Sequence, residues 1–181
     1  MTDLSWETLD SDISYTCGGF DVINEQVQLP DGTAAEFDYL SENPSVVVLP
    51  FTSDGDVVLI EEWRQAVKRH NRGLPAGGLE GEESPEEAVH RELREETGYE
   101  TDAIAHLTTV EPANGFSDAV FHYYVANDCK PTGSQHLDTD ESIEVRKAPF
   151  SAVLESVRTG EIRDGRSAHA LLYYALFERD L

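Results

Sequence analysis

Cysteine, lysine and long apolar runs are all scarce in this sequence of 181 residues. Its two cysteines, Cys17 and Cys129, stand alone without a CxxC pair, which argues against a disulfide framework or a zinc site and predicts reduced thiols. The longest apolar stretch, VVVLPF at 46–51, is too short to cross a bilayer, which takes about 20 apolar residues in a helix. No basic segment followed by an apolar one stands at the start, so we expect no secretion signal and a soluble, cytoplasmic protein.

Positive charge is also scarce. The chain has 36 Asp and Glu residues against 13 Lys and Arg, which gives a net charge of −23. Because the acids are spread along the whole chain, they indicate a solvated acidic surface, which disfavours binding to nucleic acids and to anionic membranes. The composition resembles that of proteins from salt-filled cytoplasm, where the Debye length is about 3 Å at 1 M salt and self-repulsion is screened. We therefore expect a salt-adapted (halophilic) source.

Hydrophobic residues make up 39% of the chain, which is enough for one globular domain of this length. The turn PDGT separates two strand-like runs within 14–40, and the turn TSDGD separates VVVLPF from DVVLIEEW. Later patterns predict strands at about 102–111, 119–127 and 142–148, and helices at 149–158 and 165–179. Strands, turns and helices in this order predict an α/β fold with a mixed sheet covered by helices.

The clearest helix pattern is SPEEAVHRELREETG, at 84–98. Ser84 is a favourable N-cap, Pro85 suits the first helical position, and Glu87 completes a capping box. Gly98 is a natural C-terminal stop. The sequence therefore predicts a well-bounded helix whose last turns are rich in carboxylates.

Three of these carboxylates, on Glu92, Glu95 and Glu96, fall on one face of the helix at about 100° per residue. They lie near the helix C-terminus, whose partial negative charge disfavours anions, and Glu92 and Glu96 repel each other at a spacing of four. A bound cation would offset both costs, and oxygen ligands of this kind suit Mg²⁺, with Mn²⁺ as an alternative. An acidic protein also carries glutamates in many places, so this cluster alone does not decide the question.

The wider spacing resembles the Nudix box, G-x5-E-x7-R-E-U-x-E-E-x-G-U, where U is apolar. The chain matches it from Gly77 through Glu83 and the run 91–96 to Gly98, and Tyr99 is a loose fit at the last position. The box covers about an eighth of the chain, and weaker similarity extends from about residue 20 to 175. The resemblance implies a Nudix hydrolase, which cleaves a nucleoside diphosphate linked to another group.

The resemblance also implies an architecture. The expected Nudix fold is a mixed β-sheet sandwiched between helices (α/β/α), with an N-terminal antiparallel strand extension. We assign residues 1–41 to that extension, which is similar to the strands through which ADP-ribose pyrophosphatases dimerise, and residues 42–181 to the hydrolase domain. A homodimer is the expected assembly.

By the same resemblance, Glu92 and Glu96 are the principal metal ligands and Glu95 an additional one. The carbonyl of Ala76 completes the set, while Arg91 and Glu83 form the pair that fixes the glycine loop against the helix. The general base in such enzymes is often a Glu on a downstream loop. The acidic segment HLDTDESIEV, at 136–145, offers Glu141 as the first choice and Glu144 as the second.

The segment EEWRQAV before RGLPAGG resembles the ADP-ribose pyrophosphatase branch, in which an arginine at the place of Arg64 contacts a phosphate. Arg69 and Arg72 are further phosphate candidates. Three aromatic residues could stack on a base, and we assign Phe116 to substrate binding among Phe20, Phe116 and Tyr123.

Three positions depart from that branch: Gly73 replaces an acid, Asn114 a proline, and Ala119 a second acid. These departures concern the choice of nucleoside partner and leave the metal chemistry intact. From the resemblance to the branch, we expect hydrolysis of ADP-ribose to AMP and ribose 5-phosphate by metal-activated water. The alternatives are a Nudix hydrolase for a nucleotide sugar, a dinucleotide or a nucleoside triphosphate, and a non-catalytic nucleotide-binding regulatory module.

Overall fold

The computed structural model describes residues 3–139 and 141–178, which contain eleven strands, three α-helices and one π-helical turn. The strands are β1 Glu7–Thr16, β2 Asp21–Gln28, β3 Ala34–Ser41, β4 Ser45–Thr52, β5 Asp56–Arg64, β6 Arg69–Gly73, β7 Ala76–Gly78, β8 Tyr99–Glu100, β9 Ala103–Val110, β10 Phe121–Pro131 and β11 Ile143–Pro149. The helices are α1 Pro85–Thr97, α2 Phe150–Thr159 and α3 Gly165–Tyr173, and the π-helical turn is Tyr174–Glu178.

The chain divides into two compact units. The first contains the residues up to Pro44 together with Val110–Val120, and the second contains Ser45–Thr109 and the residues from Phe121 onward. The first unit therefore takes in a later segment, at 110–120, that the sequence did not group with the N-terminal strands.

The first unit is a three-stranded antiparallel sheet in the order β1-β2-β3. The predicted hairpin of β2 and β3 is confirmed, with Gln28 opposite Ala34 beside the turn. Residues 110–120 are held by Asp118, whose carboxylate accepts hydrogen bonds from the Ser41 hydroxyl at 2.8 Å and the Glu42 amide at 2.9 Å. Most of β1 was not predicted, because its three apolar residues, Leu9, Ile13 and Tyr15, are spaced among acidic and hydroxyl residues in a strand that is exposed throughout.

The second unit is built on a mixed sheet in the order β11-β5-β4-β10-β8, with β6 beside β5 and β7 beside β4. Strands β4 and β10 run parallel, and the other assigned pairs in this path are antiparallel. The prediction of a mixed sheet is confirmed. Residues 46–51 of β4 are all buried, as expected of a strand covered on both faces.

Helices cover both faces of this sheet. Val46 and Val48 of β4 pack with Val89 and Leu93 of α1 in one buried cluster. Side chains on a strand alternate between faces, so the odd-numbered residues point away from α1. Phe51 accordingly contacts Phe150 of α2 at a ring-centroid distance of 5.6 Å. On the same face, Tyr123 of β10 lies 4.8 Å from the ring of His169 in α3. The predicted α/β/α layering is confirmed.

The bounds of α1 follow from local chemistry. The Ser84 hydroxyl accepts a hydrogen bond from the Glu87 amide at 3.3 Å, and the Glu87 carboxylate accepts one from the Ser84 amide at 2.8 Å. Gly98 closes the helix in the left-handed conformation, at φ 68°, which glycine adopts at little cost. The capping box, the proline at the helix start and the glycine stop are all confirmed.

Two short strands and one helix end differ from expectation. The strand β6 has the polar sequence RHNRG and β7 is only AGG, so neither carries the alternating apolar pattern from which a strand is predicted. The predicted helix at 165–179 is α-helical only as far as Tyr173, where the π-helical turn begins. Within the described residues, no helix is long and apolar enough to cross a membrane.

Candidate active site

Two carboxylates on α1 are buried beside the short strand β7. The side chains of Glu92 and Glu96 lie on one face of the helix, and the two residues are 7% and 3% exposed. The amide of Ala76 donates a hydrogen bond to the Glu96 carboxylate at 2.9 Å. This contact turns the strand backbone towards the helix and fixes one oxygen of Glu96.

Gly77 allows the strand to approach the helix this closely. A Cβ atom added to Gly77 would lie 2.0 Å from Oε1 of Glu92 and 2.3 Å from its Cδ. No side chain can therefore stand at position 77 while Glu92 keeps its place. The first glycine of the box is required by this contact rather than by a left-handed backbone.

Arg91 joins the loop to the helix. Its guanidinium donates to the Glu83 carboxylate at 2.6 Å and to the carbonyl of Gly78 at 2.8 Å. It also donates to Glu92 at 2.6 Å and to Glu95 at 3.4 Å. The Glu83 hydrogen bond is the main cause that raises the pKa of Arg91, and the same contact lowers the pKa of Glu83. A single permanent cation thus positions the loop and two carboxylates.

Burial dominates the electrostatics of the two inner carboxylates. It raises the pKa of Glu96 to about 8, the charge of Glu92 adds to that shift, and the Ala76 hydrogen bond opposes it. Burial also raises the pKa of Glu92, although Arg91 beside it acts in the opposite direction. Two like charges held this close in a low dielectric are costly, so the pair favours the approach of a cation.

These carboxylates open into a cavity of about 270 Å³. Its walls come from the glycine loop, from α1 and from the acidic loop before β11, and they are formed by Gly77, Gly78, Leu79, Glu80, Arg91, Glu92, Glu95, Glu96, His136, Asp138 and Glu141. The structure therefore brings three predicted acids of the box together with Glu141, which lies 45 positions further along the chain than Glu96.

The donor set of this cavity fits a hard divalent cation that also binds its substrate. Among the described residues, no three His, Cys, Asp or Glu side chains form a ready-made metal cluster. Glu92 and Glu96 each have one oxygen engaged, by Arg91 and by the amide of Ala76. Mg²⁺ usually takes only one or two carboxylates and completes its shell with water and phosphate oxygens, so a sparse set of this kind suits it. The Ala76 amide contacts Glu96, and Ala76 pairs with Val47 in the ladder between β7 and β4.

The two candidates for the general base occupy different places. Glu141 lines the cavity, and its carboxylate accepts a hydrogen bond from the amide of Asp138 at 3.0 Å. Glu144 lies on β11 opposite Glu61, with a side chain that is 71% exposed and paired with Arg146. The geometry favours Glu141 and leaves Glu144 outside the cavity.

The candidate substrate residues are not among those that line this cavity. Arg64, at the end of β5, forms an ion pair with Glu62 at 2.6 Å, and Arg72 forms one with Glu61 at 2.6 Å. Arg69 pairs with Arg64 in the ladder between β5 and β6. Since side chains alternate along a strand, Arg64 and Arg69 share one face of the β5–β6 hairpin and Arg72 lies on the other.

The aromatic candidates lie elsewhere. Phe116 belongs to the first unit, where it lines a cavity of about 370 Å³ with Phe37, Tyr39 and Asn114. Phe20 also belongs to that unit and is 38% exposed. Tyr123 is only 1% exposed and packs against His169, so it is a core residue rather than a base-stacking one.

Sequence reasoning missed four residues of the site region: Glu62, Glu80, His136 and Asp138. His136 and Asp138 belong to the same segment, HLDTDES, that supplied Glu141, so their proximity to it in sequence was an available signal. Glu80 lies in the glycine loop. Glu62 is 9% exposed on β5, and burial raises its pKa, but nothing in its local sequence indicates that it would be buried.

Comparison with known proteins supplies a second line of information. The family described as NUDIX domain matches residues 42–171. The chain is 30% identical to the ADP-ribose pyrophosphatase of Bacillus subtilis (strain 168) over 179 residues, covering 98% of this chain and 97% of that protein. It is 33% identical to the GDP-mannose pyrophosphatase of Escherichia coli (strain K12) over 138 residues, covering 72% of each.

The chain also resembles a protein named as an activator and a solved structure. The chain is 30% identical to the methanol dehydrogenase activator of Bacillus methanolicus over 155 residues, covering 85% of this chain and 84% of that protein. A crystal structure described as ADP compounds hydrolase superposes with a TM-score of 0.85 at 20% identity, covering 97% of this chain and 95% of the other. At that identity the superposition supports the fold.

Replacement of Gly77 by alanine tests the close approach of strand and helix. The added methyl group must displace Glu92, so we expect the free energy of unfolding to fall by about 1–3 kcal/mol. Urea unfolding measures the change, and Mn²⁺ titration followed by electron paramagnetic resonance reports whether the carboxylates still bind a cation. The neighbouring Gly78 is the matched control, because an added Cβ there meets no atom within 4 Å. Equal stability of the two alanine variants would contradict the proposed contact.

Proposed function

This chain belongs to the NUDIX family, and we propose that it is a metal-dependent pyrophosphohydrolase that splits ADP-ribose into AMP and ribose 5-phosphate. The observation that carries this proposal is the pair of buried carboxylates, Glu92 and Glu96, at the wall of a cavity that also contains Glu141. The similarity to an ADP-ribose pyrophosphatase over nearly the whole length of both chains supports the choice of substrate.

We assign the cation to Glu92 and Glu96, with Glu95 as an additional ligand, directly or through water, and the Ala76 carbonyl as a further one. Bound there, Mg²⁺ or Mn²⁺ would supply positive charge to the diphosphate and polarise the phosphoryl group that water attacks. Arg91 and Glu83 keep the carboxylates in place, because the guanidinium bridges the glycine loop and the helix. A cation held by these carboxylates would let an anionic substrate approach a chain with a net charge of −23.

Glu141 is the proposed general base. Its carboxylate takes a proton from the attacking water as the water oxygen bonds to phosphorus and the bridging oxygen leaves with the second phosphate. The hydrogen bond from the Asp138 amide to Oε2, at 3.0 Å, fixes the orientation of this carboxylate, and its other oxygen, Oε1, is the one we assign to the water.

Arg64 is the proposed phosphate contact and Phe116 the proposed aromatic contact of the substrate. Glu62 holds the Arg64 guanidinium from one side, which leaves its remaining donors for a phosphate oxygen. Gly73, Asn114 and Ala119 depart from the ADP-ribose branch, and the 33% identity to a GDP-mannose pyrophosphatase favours a nucleotide sugar as the second candidate substrate.

Release of AMP from ADP-ribose tests the function directly. We expect AMP and ribose 5-phosphate in equal amounts, only with Mg²⁺ or Mn²⁺ present, and faster than the products from GDP-mannose, diadenosine diphosphate and ATP. Assays at high salt suit the expected halophilic source. A variant with Gln at positions 92, 95 and 96 keeps the side-chain size without the charge, so it serves as the inactive control. If ADP-ribose and the rest of the panel stayed intact, a regulatory nucleotide-binding module would replace the enzyme.

Substitution of the two candidate bases separates their roles. Glu141→Gln should lower kcat about 10²-fold or more and leave Mn²⁺ binding intact, because it removes a proton acceptor and not a metal ligand. Glu144→Gln should retain most of the turnover, since that side chain is exposed and paired with Arg146. The opposite ranking of the two variants in steady-state kinetics would exchange the assignments.

We also propose a cytoplasmic homodimer in which residues 1–41 are the dimerisation element and residues 42–181 the hydrolase domain. Strand β1 supports this assembly, because Leu9, Ile13 and Tyr15 are 54%, 61% and 59% exposed on it.

Light scattering at high salt should give a mass twice the 20.1 kDa of one chain. Ile13→Asp should shift the protein towards the monomer, because it would place a charge in the apolar contact that the dimer buries between the two copies. Ser14→Asp adds the same charge at the next, also exposed, position of β1 and should leave the dimer intact. A monomeric parent chain at micromolar concentration would rule out the assembly.

A further inference from the structure

The side chain of Gln135 connects the end of α1 to the start of β11. Its amide nitrogen, Nε2, donates to the carbonyl of Glu96 at 2.6 Å and to the carbonyl of Ile143 at 3.3 Å. A glutamine amide carries two N–H donors, so each carbonyl can receive one of them. Gln135 and Ile143 thus flank the loop that contains His136, Asp138 and Glu141, and the Gln135 amide ties both ends of that loop to the end of α1.

The same loop satisfies the C-terminal end of α1. The last carbonyls of a helix lack partners within the helix and must find them elsewhere. The amide of His136 donates to the carbonyl of Glu95 at 2.9 Å, and the amide of Thr132 donates to that of Gly98 at 2.8 Å. With Gln135 on Glu96, three carbonyls at this end of the helix receive hydrogen bonds from one loop.

These contacts join two parts of the site through their backbones. Glu95 and Glu96 direct their side chains to the cavity from the helix, while their carbonyls are held by the loop that directs Glu141 to the same cavity. Of the three contacts, the Gln135 contact is made by a side chain and also reaches β11. Its removal therefore loosens the loop without deleting any side chain that lines the cavity.

We propose that Gln135 is a positioning residue that sets the distance between the Glu141 carboxylate and the carboxylates of α1. This inference rests on the proposed function, in which Glu141 is the base. A base must lie within hydrogen-bond reach of its water, and a misplacement of about 1 Å can cost on the order of 10²-fold in rate. Without the Gln135 amide, the loop keeps its backbone contacts to the helix end and the hydrogen bond of the Thr132 hydroxyl to the Gly98 carbonyl, but loses the side-chain link between Glu96 and β11.

The test is Gln135→Met, which keeps the length of the side chain and removes both donors. We expect kcat for ADP-ribose to fall about 10- to 100-fold while KM and the Mn²⁺ dissociation constant stay within about twofold of the parent values. Hydrogen–deuterium exchange at the His136 amide should become at least about 10-fold faster, because the loop opens more often. Gln135→Glu places a carboxylate against two carbonyl oxygens and should be impaired at least as strongly.

Gln26→Met is the matched control, because Gln26 also donates through Nε2, at 3.0 Å to Glu36, but this hydrogen bond is exposed and lies in the first unit. It should change neither kcat nor exchange at His136. If Gln135→Met does not fold, Gln135→Asn gives the same comparison, since its shorter amide cannot reach both carbonyls.

Three results would overturn the proposal. They are exchange at His136 equal to that of the parent, faster exchange with unchanged kcat, and a loss of kcat that is matched by an equal loss of Mn²⁺ affinity. The first shows that the amide does not hold the loop, and the other two show that the loop does not set the base. If the parent chain releases no AMP, the proposed function fails instead, and exchange at His136 still decides whether Gln135 holds the loop.

Discussion

The arrangement of the site depends on two carboxylates that are buried on the same face of one helix. Glu92 and Glu96 lose hydration and repel each other, and burial is the main cause that raises the pKa of each. The protein offsets this cost with the guanidinium of Arg91 and the amide of Ala76, one contact for each carboxylate. Neither contact uses all the lone pairs of its carboxylate, so the remaining oxygens stay directed to the cavity.

Backbone geometry makes that burial possible. Strand β7 reaches the helix only because Gly77 has no side chain, and the helix begins and ends where Ser84 and Gly98 place it. These local features fix the rotation and the length of α1, and therefore which of its side chains meet the strand. The acidic loop then binds the carbonyls at the C-terminal end of α1, through the His136 amide and the Gln135 side chain. The helix ends and the missing side chain at Gly77 thus determine the position of charged groups that would otherwise move apart.

The parts that could be predicted from the sequence are those that local chemistry decides. The caps of α1, the apolar strand β4 and the common face of Glu92 and Glu96 follow from side-chain type and helical period. The strands β6 and β7 could not be predicted, because they are strands through their backbone pairing with β5 and β4 and not through an apolar pattern of their own. Similarly, Glu62 is buried by neighbouring strands, and the charges of Arg64 and Arg166 offset part of the cost of burying its carboxylate. Long-range pairing carries no local signature, so such residues emerge only from the fold.

The few cations of this chain form ion pairs that differ in how far they are exposed to solvent. Arg91 is only 17% exposed at its side chain and joins the loop to the helix, while Arg72 and Arg146 both bind Glu61 and lower its pKa. Salt screens exposed ion pairs strongly and partly buried ones much less. At high salt the abundant surface carboxylates therefore stay hydrated and gain little from ion pairs, whereas the partly buried contacts of Arg91 keep most of their strength. A chain with few cations can then lose its surface pairs to screening and still hold the carboxylates of α1 in register with the glycine loop.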